Sequence, residues 1–308
     1  MLCRFLIEDF SKEDGIMRRN IFVLCALLMI AFFNAAQAAP CDRDCLAGFV
    51  TKYVDALLAG NPAALPVAAN VKFTEDTKEL KLGEGVWKKN LKPTQYRRDI
   101  LDVRQGTAIS FLVLEENNAP IFYVVRLKIA DNKISEIEST VVMNKEEGML
   151  FNPDNLKKVR PEMLAKPEKS RMNTRDEMIK IAVTYPEGLK AGSFVKVDSP
   201  MAQDAYRYEN GNLMAGPGCT FFKGCDVMKT QTIPKLSGLR YRVMAVDEDL
   251  GVVSIRMNFG PGSLFSGKGE LDVWHSFKIF DGQIHAAEAY CETVPPGTKS
   301  GWENGTEY

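Results

Sequence analysis

Histidine is nearly missing: His275 and His285 are the only two in 308 residues. A metal centre built on imidazoles is thereby excluded, because such sites draw on several closely spaced histidines. No C-x-x-C pair is present to replace them with thiolates. An excess of one charge is missing too, with 39 basic against 40 acidic side chains and a net charge of −1. Nucleic-acid binding by phosphate neutralisation needs a basic excess, so no nucleic-acid partner is expected. No G-x-S-x-G elbow, H-E-x-x-H pair or helix-opening G-x-G-x-x-G occurs. Residues 262–269, GSLFSGKG, approach a phosphate loop, but Gly269 stands where the metal-binding hydroxyl belongs. The segment that follows, LDVWHSFKIF, alternates like a strand, whereas a phosphate loop opens a helix. No cofactor and no metal are expected.

What is present is globular: 45% apolar and 26% charged residues, at a length that allows about two domains. Residues 21–33 form an uncharged run of 13, preceded by Arg18 and Arg19 and followed by Ala36-Gln37-Ala38. That is the pattern of a secretory signal peptide over residues 1–38, and the run is too short for a membrane span of about 20 residues. The expected product is secreted or periplasmic, with no membrane attachment after cleavage. Five cysteines follow the signal: Cys41, Cys45, Cys219, Cys225 and Cys291. An oxidising compartment permits disulfides. Cys219 and Cys225 flank a short Gly-containing loop and are expected to pair. Cys41 and Cys45 have i, i+4 spacing, for which bonding geometry within a helix is poor. The pairing of Cys41, Cys45 and Cys291 stays open, and the odd count leaves at least one thiol unpaired within the monomer.

The chain contains one unit written twice. RLKIADNKISEIES at residues 126–139 returns as SFKIFDGQIHAAEA at 276–289, an offset of 150 with five identities. Each copy reads as a strand, a tight Asp-Asn or Asp-Gly turn and a returning strand. Upstream, residues 73–76 (FTED) are echoed by 207–210 (RYEN). Each copy also opens with an amphipathic helix. In the first, Leu46, Phe49, Val50, Tyr53, Val54, Leu57 and Leu58 form the stripe, and Gly60 and Pro62 stop it. In the second, Thr174 and Glu177 form a capping box, and Pro186 predicts a kink or break. The expected fold is α+β: two tandem cone-shaped barrel domains at 41–143 and 172–292, each a helix packed on a curved antiparallel sheet. A linker of residues 144–171 joins them, and 293–308 form a tail. Apolar strand faces such as Ile109, Phe111 and Val113 call for burial, by pairing of the two domains within the chain or by a homodimer.

The helix-first order and the closing K-I-x-D-G-x-I hairpin resemble the nuclear-transport-factor-2-like, or SnoaL-like, superfamily. More closely, CDRDCLAGFV, KFTED, NKISEIE, RYENG, HSFKIFDGQI and PPGTKSGW resemble a secreted tandem-domain family of bacteria and fungi known as a domain of unknown function. The resemblance covers nearly all of the chain after the signal. It implies the cone fold, and it leaves activity open: the wider superfamily holds cyclases, dehydratases, isomerases, aldol-type lyases and non-catalytic binding modules. One departure is Ala205, which stands near where the family is expected to carry a cysteine.

In residues 271–280 one face carries Leu271, Val273, His275, Phe277 and Ile279. The first copy has Val125 at the position of His275. A buried imidazole beside a carboxylate is the arrangement for general acid–base work near neutral pH. Glu288 and Glu209, shared with the first copy as Glu138 and Glu75, are the candidate partners. The catalytic candidates are therefore His275, Glu288 and Glu209. Two readings stand side by side. One is a cofactor-free lyase or isomerase acting on a small, largely apolar ligand. The other is a non-catalytic small-molecule-binding or protein-interaction module, with His275 as a core residue. The N-terminal pattern makes one direct prediction: exported protein begins at Ala39, and intact-mass measurement of secreted material that retains residues 21–33 would refute it.

Overall fold

The computed structural model describes residues 41–261, 263 and 269–302. The expected signal segment, residues 1–38, and most of the GSLFSGKG stretch lie outside the described residues. The first domain comprises α1 (Arg43–Leu58), β1 (Val67–Glu75), β2 (Lys78–Leu80), β3 (Leu91–Asp102), β4 (Thr107–Glu116), β5 (Ala119–Ala130) and β6 (Lys133–Val142). The second repeats the plan with α2 (Arg175–Ala191), β7 (Met201–Glu209), β8 (Asn212–Ala215), β9 (Arg240–Asp247), β10 (Val252–Asn258), β11 (Glu270–Phe280) and β12 (Gln283–Val294). Strand orders are the same, β2-β1-β6-β5-β4-β3 and β8-β7-β12-β11-β10-β9. The fold is the expected α+β pair of helix-on-curved-sheet domains. One refinement concerns the sheets, which are mixed: β1 runs parallel to β6, and β7 to β12. After β2 the chain crosses to the far edge as β3 and meanders back through β4 and β5, so β6 arrives beside β1 in the parallel sense, and the second domain repeats this path.

Local chemistry explains the elements. Asp42 caps α1, its side chain accepting the Cys45 amide at 2.9 Å. Thr174 and Glu177 close the capping box of α2. That helix runs unbroken across Pro186 to the left-handed Gly192, contrary to the expected break. Pro186 is buried, and the packing of its neighbours Tyr185 and Leu189 offsets the one backbone bond it cannot donate. Asp131-Asn132 and Asp281-Gly282 all have positive φ, as a two-residue hairpin with right-handed strand twist requires. Cys41 and Cys45 are joined, with Cα atoms 5.2 Å apart, and Cys219 is joined to Cys225 at 5.6 Å. The first pair corrects the sequence reading. Cys41 precedes the N-cap and so lies outside the helix, which frees it from helical i, i+4 geometry. Cys291 is the free thiol, and it is buried.

Side chains alternate between two cores, which is why the central strands read as continuous apolar runs. Along β4, Leu112 and Leu114 pack under α1, while Ile109, Phe111 and Val113 face the other sheet. Along β11, Val273 and Phe277 pack under α2, while Trp274 faces the first domain. The shared core brings Phe122 and Val124 of one sheet together with Met244, Val252 and Tyr290 of the other.

Two reciprocal ion pairs fasten this interface. Arg43, at the start of α1, grips Asp247 of the second domain with both η nitrogens, at 2.7 and 3.0 Å. Arg175, at the start of α2, grips Asp102 of the first domain in the same way, at 2.9 and 2.6 Å. Each aspartate also accepts an amide of the opposite domain, Leu101 N to Asp247 and Val246 N to Asp102, both at 2.9 Å. Each further accepts an amide of its own turn, Gln105 N to Asp102 and Leu250 N to Asp247, both at 3.1 Å. Both carboxylates are fully buried. Removing one leaves an arginine and two amides without their acceptor. Asp247→Ala and Asp102→Ala should each cost about 2–4 kcal/mol. Urea unfolding of the two variants measures this, and a change below about 0.5 kcal/mol in either would refute the clasp.

Candidate functional site

Under α2 the second domain gathers polar groups in an apolar interior. The alternation of β7 puts Arg207 and Glu209 on the face that α2 covers. Tyr185 comes down from the helix stripe. Arg207 donates to the Tyr185 hydroxyl at 3.0 Å and to Gln231 Oε1 at 3.2 Å, and its Nε lies 3.1 Å from Glu209. His275 projects from β11 onto the same face and is 0% exposed. Its ring stacks on Phe277 at 5.1 Å and meets Tyr185 edge-on at 5.0 Å. Neither ring nitrogen has a hydrogen-bond partner among the described residues. Burial, with the charge of Arg207 adding to it, holds the imidazole well below its usual range, so it is neutral.

The three candidate residues are not brought together. His275, Ala289 and Glu209 lie in one row across β11, β12 and β7, with Ala289 between the other two. Two strand spacings put their backbones roughly 9–10 Å apart, and Glu209 is engaged by Arg207 instead. Glu288 pairs in register with Ser276, the neighbour of His275, and so lies on the opposite face of the sheet. There it meets Arg160 at 3.1 Å and Arg98 at 3.6 Å. The expected His275–Glu288 pairing therefore does not form: a period of two places i and i+1 on different faces. His285 is half-buried, stacked on Phe280 at 3.5 Å.

The first domain fills the equivalent interior differently. Tyr53 of α1 and Tyr123 of β5 share a hydroxyl–hydroxyl hydrogen bond of 2.7 Å. Nearby, Glu75 accepts the Val86 amide at 3.0 Å. A Cβ on Gly85 would lie 2.0 Å from the Glu75 carboxylate, so only glycine lets the backbone approach it there. Burial, with Asp76 adding repulsion, pushes the Glu75 carboxyl up to about 7. Sequence reading singled out none of Tyr53, Tyr123, Tyr185, Arg207 and Gln231 for chemistry. The alternation Arg207-Tyr208-Glu209 under an amphipathic helix was the one available signal. A cleft of about 250 Å³ opens between the domains beside Arg43, Asp247 and Glu248. Its main charges are already committed to the clasp. Among the described residues no group of three or more His, Cys, Asp or Glu is placed to hold a metal.

Residues 171–291, less than half of the chain, match a family described as "Domain of unknown function (DUF8021)". No curated protein matches the chain in sequence. Among solved structures, an NTF2-like protein of unknown function from Cytophaga hutchinsonii is 13% identical, with 32% of this chain and 90% of that chain covered and a TM-score of 0.26. A de novo designed protein with a curved β-sheet is 17% identical, with 33% and 88% covered and a TM-score of 0.28. The assignment of the fold rests on the topology and register given above.

Glu75 has a measurable signature. Its folded pKa of about 7 lies above the ordinary carboxylate value of 4.5, so the folded state holds the proton longer than the unfolded chain does. The stability it contributes is full below about pH 4.5, declines as pH rises to about 7 and stays lost above that. The loss amounts to about 3 kcal/mol. Glu75→Gln should remove this decline. Urea unfolding at pH 5 and pH 8 compares the slopes, and equal slopes in wild type and variant would exclude it.

Proposed function

We propose that the chain is an exported, non-catalytic small-molecule-binding module, with the interior of the second domain as its recognition site. The observation that carries this reading is His275: a fully buried imidazole with both nitrogens unpartnered. Leaving a buried polar group unsatisfied costs about 1–3 kcal/mol. The fold itself does not need that group, because the first domain holds Val125 at the same register. Apolar walls with a few placed polar groups are the make-up of a small-molecule site. Tyr185, Phe277 and His275 supply such walls and such a group. The ligand class is a small, largely apolar molecule with one hydroxyl or carbonyl to meet the imidazole. Two disulfides among the described residues support export, as does the N-terminal signal pattern.

A binding role is favoured over catalysis at His275 because no carboxylate or other hydrogen-bond partner orients its imidazole among the described residues. The lyase or isomerase reading keeps one observation of its own, in the first domain. A carboxyl near pKa 7 beside a buried tyrosine pair is a competent acid–base set.

A thermal-shift screen of small apolar alcohols, ketones and phenols against wild type and His275→Leu tests the proposal. In the variant an unsatisfied polar group gives way to a methyl-bearing one of similar size. Its melting temperature should rise by about 2–8 °C without ligand. Compounds that stabilise wild type should lose their effect on it. A variant that melts lower, or that keeps the full ligand response, would overturn the assignment.

A further inference from the structure

The facing sides of the two sheets carry one acidic position twice, and its copies are satisfied unequally. In the first domain, Glu138 is saturated. Arg126, directly opposite on β5, reaches it at 2.8 Å. From the second domain, Arg242 reaches it at 2.6 and 2.8 Å, and Arg256 also contacts it. In the second domain, the residue directly opposite Glu288 is Ser276 instead of an arginine. The cross-strand pair Arg242–Arg256 has Arg98–Phe111 as its counterpart. Three arginines around Glu138 thus correspond to one inter-sheet arginine at Glu288, namely Arg98.

Arg98 is 2% exposed and lies over the Phe111 ring at 4.4 Å. Its Nε stands 3.6 Å from Glu288, and none of its three nitrogens makes a hydrogen bond of good geometry among the described residues. The Ser276 hydroxyl is buried and unpartnered, and so is the Tyr206 hydroxyl. The Tyr206 ring meets that of Tyr208 edge-on at 5.6 Å, within the field of Glu288, Glu162, Arg160 and Arg98. Arg160 of the linker closes the niche from outside, stacked on Tyr208 at 3.3 Å and bonded to Glu288 at 3.1 Å. Ser276 stands where the first domain has Arg126, so no guanidinium from its own sheet reaches Glu288. The niche's free groups are donors, and Arg98 and Arg160 face the carboxylates of Glu288 and Glu162.

We propose that this niche binds a small oxyanion, held in the fork of Arg98 and by the hydroxyls of Ser276 and Tyr206, beneath the linker. A planar guanidinium with unused N–H groups matches two acceptor oxygens. The proposal is independent of the His275 site, which lies on the other face of the same sheet.

Melting curves of the mature chain in sodium formate, sodium phosphate and sodium chloride at matched ionic strength test it. Formate, phosphate or both should raise the melting temperature saturably, by about 2–4 °C, and chloride should not. The formate and phosphate arms separate an organic carboxylate from an inorganic oxyanion. Ser276→Arg copies the first domain into the second. It should raise the melting temperature in chloride and abolish the oxyanion response. Should that variant not fold, Arg98→Met removes the fork at similar length, and its response should vanish as well. No saturable shift with either oxyanion, or a full shift in Ser276→Arg or Arg98→Met, would overturn the site.

Discussion

Everything else in the structure hangs on the reciprocal clasp of Arg43 to Asp247 and Arg175 to Asp102. Each aspartate ties three things at once: its own β-turn, a backbone amide of the other sheet and the first residue of the other domain's helix. Helix entry, sheet edge and domain packing are therefore set by the same carboxylates. Because neither carboxylate can be hydrated where it lies, the domains cannot separate without exposing or orphaning them. The clasp thus turns two adjacent cones into one unit with a common third core.

The connecting segments reinforce the same exchange. The stretch after β6 crosses to the second domain, where Asn152 N bonds Asn210 O at 2.9 Å and Asn155 bonds Gly211 O. The stretch after β12 crosses back, where Trp302 donates to Thr74 at 2.8 Å and lies against Arg126. Each domain is covered by the tail of the other. The scaffold is symmetric, and the chemistry placed on it is not. One interior holds a tyrosine pair and a protonatable glutamate, and the other a neutral imidazole and an Arg–Glu pair.

Much of this was legible in the sequence. The offset of 150 between residues 126–139 and 276–289 appears directly in the register, with Arg126 opposite Glu138 and Ser276 opposite Glu288. Capping residues and positive-φ turns stand where local chemistry put them. What was not legible is what depends on the third dimension. Periodicity assigns His275 to a face, and Glu288 is shared by both copies. Only the pairing register shows that Glu288 points away from His275 and toward another domain. The Cys41–Cys45 bond escaped because a helix boundary one residue away changes the geometry allowed to a thiol. The clasp escaped because its partners are 204 and 73 residues apart in sequence.

The divergence of the two domains has a compact physical origin. Val125-Arg126 on β5 corresponds to His275-Ser276 on β11. In a strand, adjacent side chains point to opposite faces, so this one dipeptide alters both sides of the sheet. On the inner side an aliphatic residue gives way to an imidazole that finds no partner in the protein. On the outer side an arginine that would saturate a carboxylate gives way to a short hydroxyl, and a buried guanidinium is left with unused donors. Both changes are unfavourable for folding alone, since each leaves buried polar atoms unsatisfied. The first domain, with the same backbone, has an aliphatic residue at the first position and an arginine bonded to Glu138 at the second, though Arg126 Nη2 is itself buried without a partner among the described residues. The shared framework thus diverges at two adjacent residues, and the two proposed sites lie on either side of the sheet at that point.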